Sequence, residues 1–310
     1  MTRRSGVQIA PATIEANRPV RRSEGSRCLD AEAGQNRGGS EVIFRQLLDP
    51  ETSTYTYLLA DAETREAVLI DPVLEQAERD RVLLDELGLR LRYTLETHLH
   101  ADHVTASGQL RKTLGSRIAV GARTGVSNAD LLLSDGDEVR VGGLRLEVLS
   151  TPGHTSGCVT YVCREHGMAF TGDALLIRGC GRTDFQEGDA ATLFHSVRDR
   201  IFSLPVETLL YPGHDYKGRT VTTVAEEKRF NARLGLARSL EDFLATMRGL
   251  QLAHPKQMER AVPANLLSGV PPVVQSGREA KELEPATRPV ARAMEELGRQ
   301  DAELWQGTGI

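Results

Sequence analysis

The sequence predicts an α/β (α+β) protein, and three observations carry that prediction. Short runs rich in Val, Ile, Leu, Tyr and Thr recur along the chain, bounded by Gly, Pro, Asp or Asn. Between several of them lie stretches whose apolar residues repeat at helical spacing. The residues best suited to bind a metal each follow a strand-like run, and loops at such places commonly carry function. A chain of 310 residues, 40% of them hydrophobic, can bury a sizeable core, either as one large domain or as two small ones.

In chain order, residues 42–46, 53–60 and 66–71 read as strands, separated by Asp49-Pro50 and by the polar stretch 61–64. Residues 73–87 read as a helix, with Val73, Ala77, Leu84 and Leu87 on one face and Gly88 placed to end it. A strand at 91–95 leads into a polar loop, a helix is expected at 103–114 with Gly115 as its stop, and 116–121 is a further strand. Asp135-Gly136-Asp137 is a turn signal, and 138–141 with 144–149 form a hairpin around Gly142-Gly143. Residues 158–163 and 168–171 form a second hairpin across Glu165-His166-Gly167, so Cys158 and Cys163 read as strand residues and His166 as a turn residue. Asp189 is the expected N-cap of a helix through Leu193, Phe194, Val197 and Ile201. A strand at 208–211 follows, and then an amphipathic helix carrying Leu240, Phe243, Leu244 and Met247. Near the end, 289–305 reads as one more helix, with Val290, Ala293, Met294 and Leu297 in line.

The loop after the 91–95 strand holds the densest chemistry: Thr97-His98-Leu99-His100-Ala101-Asp102-His103 puts three imidazoles and a carboxylate into seven residues. Neutral imidazole suits first-row metals, and a carboxylate adds charge to the same site. On an extended segment His98 and His100 point the same way, Asp102 continues that face, and His103 turns in as the chain enters a helix. Burying four such groups without a metal would leave unmatched donors and acceptors. Further candidates follow other strands: His154 after Pro152-Gly153, Asp173 after Gly172 and His214 after Pro212-Gly213. Gly and Pro at these points permit or fix unusual backbone geometry at a strand end.

The order T-H-x-H-x-D-H, P-G-H-T, G-D and G-H resembles the metallo-β-lactamase superfamily over about residues 41–270. The resemblance implies that superfamily's αββα sandwich, with these loops gathered at one edge of two packed sheets. Residues 41–270 are then the expected catalytic domain, 1–40 an extension and 271–310 a tail. The first 40 residues are rich in Arg, Ser, Gly and Asn and read as disordered; Glu15, Glu24, Asp30 and Glu32 oppose a transit-peptide reading.

The ligand inventory leaves two chemistries open. His98, His100, His154, His214, Asp102, His103 and Asp173 together could hold two zinc ions, with a bridging hydroxide as nucleophile. His100, His154 and Asp173 alone could form the 2-His-1-carboxylate triad of a ferrous ion. The stretch 172–186, G-D-A-L-L-I-R-G-C-G-R-T-D-F-Q, resembles the persulfide dioxygenase (sulfur dioxygenase) family, as do Y-P-G-H-D-Y at 211–216 and V-P-A-N-L at 262–266. Glyoxalase II enzymes share G-C-G-R but usually do not continue with T-D-F-Q. The resemblance implies a mononuclear non-haem Fe(II) enzyme, one iron per chain, that oxidises glutathione persulfide with O2 and water to sulfite and glutathione. It places the iron ligands at His100, His154 and Asp173, leaving His98, Asp102, His103 and His214 as supporting groups. Arg182 is the expected contact for a glutathione carboxylate, with Cys180, Thr183 and Tyr216 as further substrate-binding candidates. The alternatives are a glyoxalase II-like thioester hydrolase with zinc, and a non-catalytic glutathione- or persulfide-binding module.

Composition narrows the partners. A formal charge of −5 argues against nucleic acid, which normally selects a basic surface. Four cysteines, Cys28, Cys158, Cys163 and Cys180, lack a framework spacing, which predicts a reducing, cytoplasmic setting. No apolar run approaches the roughly 20 residues that span a bilayer. The family resemblance makes a homodimer a reasonable expectation.

Overall fold

The computed structural model of the chain describes residues 41–270. The expected extension at 1–40 and the expected helix at 289–305 lie outside the described residues.

The chain enters through a hairpin of β1 (Val42–Asp49) and β2 (Thr54–Asp61). Asp49 closes its turn, accepting hydrogen bonds at Oδ2 from Thr52 N (3.0 Å) and Oγ1 (2.7 Å). β3 (Glu66–Ile70) adds antiparallel to β2, and β4 (Arg90–Glu96), β5 (Arg117–Gly121) and β6 (Leu131–Leu133) then add in parallel. Helices α1 (Ala77–Glu86) and α2 (Ser107–Leu114) make the crossovers that parallel strands require. The second sheet contains β7 (Glu138–Val141), β8 (Leu144–Ser150), β9 (Val159–Cys163), β10 (Met168–Gly172), β11 (Leu209–Pro212) and β12 (Thr222–Thr223). Its order is β12-β11-β10-β9-β8-β7, antiparallel except for the β10–β11 pair. Helix α3 (Ala190–His195) lies in the crossover from β10 to β11, and α4 (Val224–Phe230), α5 (Leu240–Arg248) and α6 (Met258–Asn265) follow β12.

The two-residue period of the strands separates the layers. In β2, Tyr57 and Leu59 face the other sheet, where they pack with Val148, Tyr161 and Phe170. Leu58 and Ala60 face the opposite way, onto Ala77, Leu84 and Leu110 of α1 and α2. Because both faces are covered, every residue of β2 is buried. On the far side, Val162, Ala169 and Leu210 meet Leu193 and Phe194 of α3 and Phe243 of α5. These are the four layers of an αββα sandwich, as the motif order implied.

Four features depart from the sequence expectations or go beyond them. α2 starts at Ser107 rather than 103, because residues 104 and 105 spend their backbone groups on tertiary partners. Leu74 N donates to Val104 O (2.8 Å) and Thr105 N donates to Asn265 Oδ1 (2.9 Å). β6 is only three residues long, too short for a period to register. α6 carries Pro263 at its sixth residue, within the V-P-A-N-L motif, where the missing N–H removes one helical hydrogen bond. The helix capped by Asp189 does form, its side chain accepting from Thr192 N (2.7 Å), but it continues past His195 as a π-type turn over Ser196–Ile201.

Two tyrosines of the inter-sheet core fasten the strand ends that carry the candidate ligands. Tyr57 Oη donates to the Pro212 carbonyl (2.6 Å) and Tyr161 Oη to the Glu96 carbonyl (2.8 Å). From the other side, buried Asn265 donates to the carbonyls of His100 (2.9 Å) and His103 (2.8 Å) while accepting from Thr105 N. Tyr57→Phe leaves a buried carbonyl unpaired and is expected to cost about 1–3 kcal/mol, read from urea unfolding. Asn265→Ala strands three backbone groups; it is expected to cost about 2–4 kcal/mol and to lower the metal content of the purified protein. At this size each kcal/mol lowers the melting temperature by about 2–4 °C.

Candidate metal centre

The candidate ligands meet because they stand at the carboxyl ends of strands drawn from both sheets. β4 leads into residues 97–103, β8 into His154, β10 into Asp173 and β11 into His214. Close backbone approach makes the convergence compact. A Cβ on Gly213 would lie 2.7 Å from Asp173 Oδ1, and one on Gly181 would lie 2.6 Å from the Asp173 carbonyl and 2.8 Å from His154 Nδ1. Only glycine fits at either point.

The ends converge on an open cleft of about 710 Å³, lined by His98, Asp102, His154, Asp173 and His214, a volume ordinary for a small-molecule site. His98, His154 and Asp173 each bring one ligand atom within 4.8 Å of the other two. His154 Nε2 stands 3.7 Å from Asp173 Oδ2, as two ligands of one ion do at bonds of about 2.0–2.2 Å.

Hydrogen bonds behind the two rings set their tautomers. His154 Nδ1–H donates to the Arg182 carbonyl (2.7 Å), so its Nε2 carries the lone pair. Thr97 Oγ1–H donates to Asp71 Oδ2 (2.8 Å), so that oxygen accepts from His98 Nδ1–H (2.9 Å) and leaves the His98 Nε2 lone pair free. Burial, with His100 and His154 alongside, holds His98 well below the ordinary imidazole pKa, in the neutral form that a ligand needs. Asp173 Oδ1 is buried without a hydrogen-bond partner. A buried carboxylate oxygen with nothing to accept, beside two outward lone pairs, fits a divalent cation.

The remaining candidates are placed differently. His100 is not on the cleft: its Nε2 lies 3.1 Å from Asp71 Oδ1 and 3.4 Å from Glu96 Oε2, both behind the loop. His100 is thereby set apart from His154 and Asp173, and His98 is the loop histidine that meets them. Loop residues 97–103 do not form a continuing strand, so the alternation that paired His98 with His100 fails there. Burial works against protonating His100, but Asp71 and Glu96 outweigh it and raise its pKa well above the ordinary value. His103 is fully buried, its Nδ1 on Asp102 Oδ2 (2.9 Å). Asp102 also accepts from Thr54 Oγ1 (3.1 Å). His214 faces the cleft with Nε2 3.6 Å from Asp102 Oδ2 and 3.7 Å from Asp173 Oδ1.

The substrate candidates divide in the same way. Arg182 lines the cleft, but it grips Asp184 through Nε (2.5 Å) and Nη2 (2.6 Å) and gives its other donors to the carbonyls of Ala253 (2.7 Å) and Leu252 (3.1 Å). Its guanidinium is spent on holding the cleft wall, so a free bidentate contact to substrate is not what it offers. Thr183 is half-buried beside the cleft and does not line it. Cys180 lines it, but burial pushes its thiol up to about 11, so it is a neutral, poor nucleophile near pH 7. Tyr216 is 72% exposed at the mouth, its ring stacked on His214 at 5.9 Å. Two residues that matter were not singled out from sequence as part of this site: Asp71, visible only as the end of a strand before Pro72, and Asn265, seen only within a motif.

Comparison with known proteins matches the described architecture. The family profile of the metallo-beta-lactamase superfamily covers residues 49–214. Human persulfide dioxygenase ETHE1, a protein named as mitochondrial, is 56% identical over 236 residues, which is 76% of this chain and 92% of that protein. The crystal structure of ETHE1 from Myxococcus xanthus superposes with a TM-score of 0.71 at 53% identity, covering 74% of this chain and all of that one. A hydroxyacylglutathione hydrolase of Cereibacter sphaeroides is more distant, 36% identical over 59% of this chain and 68% of its own. On the fold, the ligand-bearing strand ends and these identities, the chain belongs to the metallo-β-lactamase superfamily and, within it, to the persulfide dioxygenase family.

Proposed function

We infer that the chain is a persulfide dioxygenase, oxidising glutathione persulfide with O2 and water to sulfite and glutathione at one Fe(II). The observation that carries the reading is the division among the seven ligand candidates. His98, His154 and Asp173 turn their free ligand atoms to the cleft, while Asp102 and His103 are tied to each other. Two imidazoles and one carboxylate with the other positions open are the donor set of non-haem iron oxygenases.

His98, His154 and Asp173 would hold the ion. When bound, the iron supplies activation of dioxygen toward the persulfide sulfur. The chain supplies the rest. Asp71, through Thr97, and the Arg182 carbonyl fix which nitrogen each ring presents. His214 faces both Asp102 and Asp173; although burial opposes its charge, these carboxylates raise its pKa and favour a proton on Nε2. The cleft seats the substrate tail so that its terminal sulfur reaches the triad, replacing chance encounter by position. The three described cysteines, Cys158, Cys163 and Cys180, are buried and free, which supports a reducing compartment, and we retain the cytoplasm as the setting.

The presence of all seven ligand candidates favours, as a second reading, a hydroxyacylglutathione hydrolase with two zinc ions. Oxygen uptake and sulfite formation with glutathione persulfide, measured beside S-lactoylglutathione hydrolysis on protein of known metal content, separates the two. Oxygen uptake with about one iron per chain is expected; thioester cleavage with two metals and no oxygen uptake would replace the reading. His98→Ala and Asp173→Ala are each expected to lose bound iron and turnover by at least about tenfold, as loss of a direct ligand should. Full iron content in His98→Ala would return the ligand role to His100.

A further inference from the structure

The cleft wall carries six basic side chains: Arg178, Arg182, Lys217, Arg219, Arg233 and Lys256. Four are committed elsewhere. Arg178 pairs with Glu226 and Glu227, Arg182 with Asp184 and Arg219 with Asp215, while Arg233 Nη1 donates to the Cys180 carbonyl (3.0 Å). Lys217 and Lys256 have no ion pair among the described residues, and neither has Glu51, an acid on the same wall. All three are exposed to solvent inside the cleft mouth.

Their positions along the chain add a direction. Glu51 lies in the turn between β1 and β2, and Lys217 in the loop after β11, and these two segments are joined. Tyr55 N donates to Gly213 O (2.9 Å), and Tyr55 Oη donates to Arg219 O (3.0 Å). Lys256 comes from the other wall segment, next to the Leu252 and Ala253 carbonyls that Arg182 holds. An acid and a base on joined turns match an α-amino acid head, with its ammonium and carboxylate. A lone lysine on a separate segment matches a single carboxylate. Glutathione has this distribution: a γ-glutamyl head at one end, a glycine carboxylate at the other, and the sulfur between.

Building on the reading that glutathione carries the sulfur, we propose that Glu51 and Lys217 bind the γ-glutamyl head and that Lys256 binds the glycine carboxylate. Arg182, the contact that the family resemblance implies, has its charge matched by Asp184, whereas the two lysines have no ion pair among the described residues. With both ends held, the sulfur is directed between them toward the triad.

The test is calorimetric titration of reduced glutathione and of γ-glutamylcysteine, which lacks the glycine, into the iron-loaded enzyme and its Glu51→Gln, Lys217→Ala and Lys256→Ala variants. Lys256→Ala is expected to weaken glutathione about tenfold and to leave γ-glutamylcysteine unchanged. Lys217→Ala and Glu51→Gln are expected to weaken both ligands, Lys217→Ala by about tenfold. Lys217→Arg and Lys256→Arg should recover most of the loss, which a merely structural effect would not. Glutathione binding unchanged in the lysine variants would overturn the proposal, and so would an equal loss for both ligands in Lys256→Ala. Oxygen uptake with glutathione persulfide is read in parallel on the parent enzyme. Its absence would defeat the dioxygenase reading while the titrations still decide where glutathione docks.

Discussion

Much of the site hangs on one carboxylate, that of Asp71. It follows directly on β3, in the left-handed region at φ 52°, and is almost fully buried. Oδ1 accepts from Thr97 N (2.7 Å) and Oδ2 from Thr97 Oγ1 (2.8 Å), so a neighbouring strand's exit is fixed before any ligand is placed. Its own N–H donates to Leu95 O (2.9 Å), and its carbonyl accepts from Thr56 Oγ1 (2.9 Å). Removing this charge from the fold would undo three things together: the path of the 97–103 loop, the tautomer of His98 and the counter-charge beside His100. Hydrogen bonds to a charged acceptor in a low-dielectric interior are the ones strong enough for such a task.

That hub also explains how a shared ligand inventory can lead to different chemistry. The side chains that could hold two ions are all present, yet their number matters less than which way each is turned. Asp71 and Glu96 draw His100 back from the cleft, and Asp102 draws His103 aside. What lines the cleft is His98, Asp102, His154, Asp173 and His214, with His100 and His103 turned away from it. The selection is made by residues that never touch the reacting atoms.

The fold was largely legible because strand period, turn residues and metal-type side chains agreed with one another. Most strands and the helices containing Leu84 and Phe243 could be read from alternation or helical spacing. What escaped were segments whose backbone serves distant partners, such as residues 103–106, or whose length is below one period, such as β6. At the site, the residue types and loops were readable, but facing was not. The two-residue spacing of His98 and His100 implies a shared face only on a regular strand, and this stretch is a loop held by Asp71 and Asn265. The surroundings of Arg182 were only half readable: Asp184 is two residues along, but Leu252 and Ala253, which also take its donors, are about seventy residues away and meet it only once the chain is folded.

Arg182 has a wider consequence. Its carbonyl receives the proton of His154 Nδ1, while its guanidinium holds the segment at 252–253 that walls the cleft. The channel wall and one histidine of the candidate metal centre are thus tied together through a single residue. A lineage that widened the channel for a bulkier thiol would shift the metal's histidine in the same step. Substrate range in this architecture is therefore harder to change than the exposed position of its wall suggests, because redesign of the wall is also redesign of the metal site.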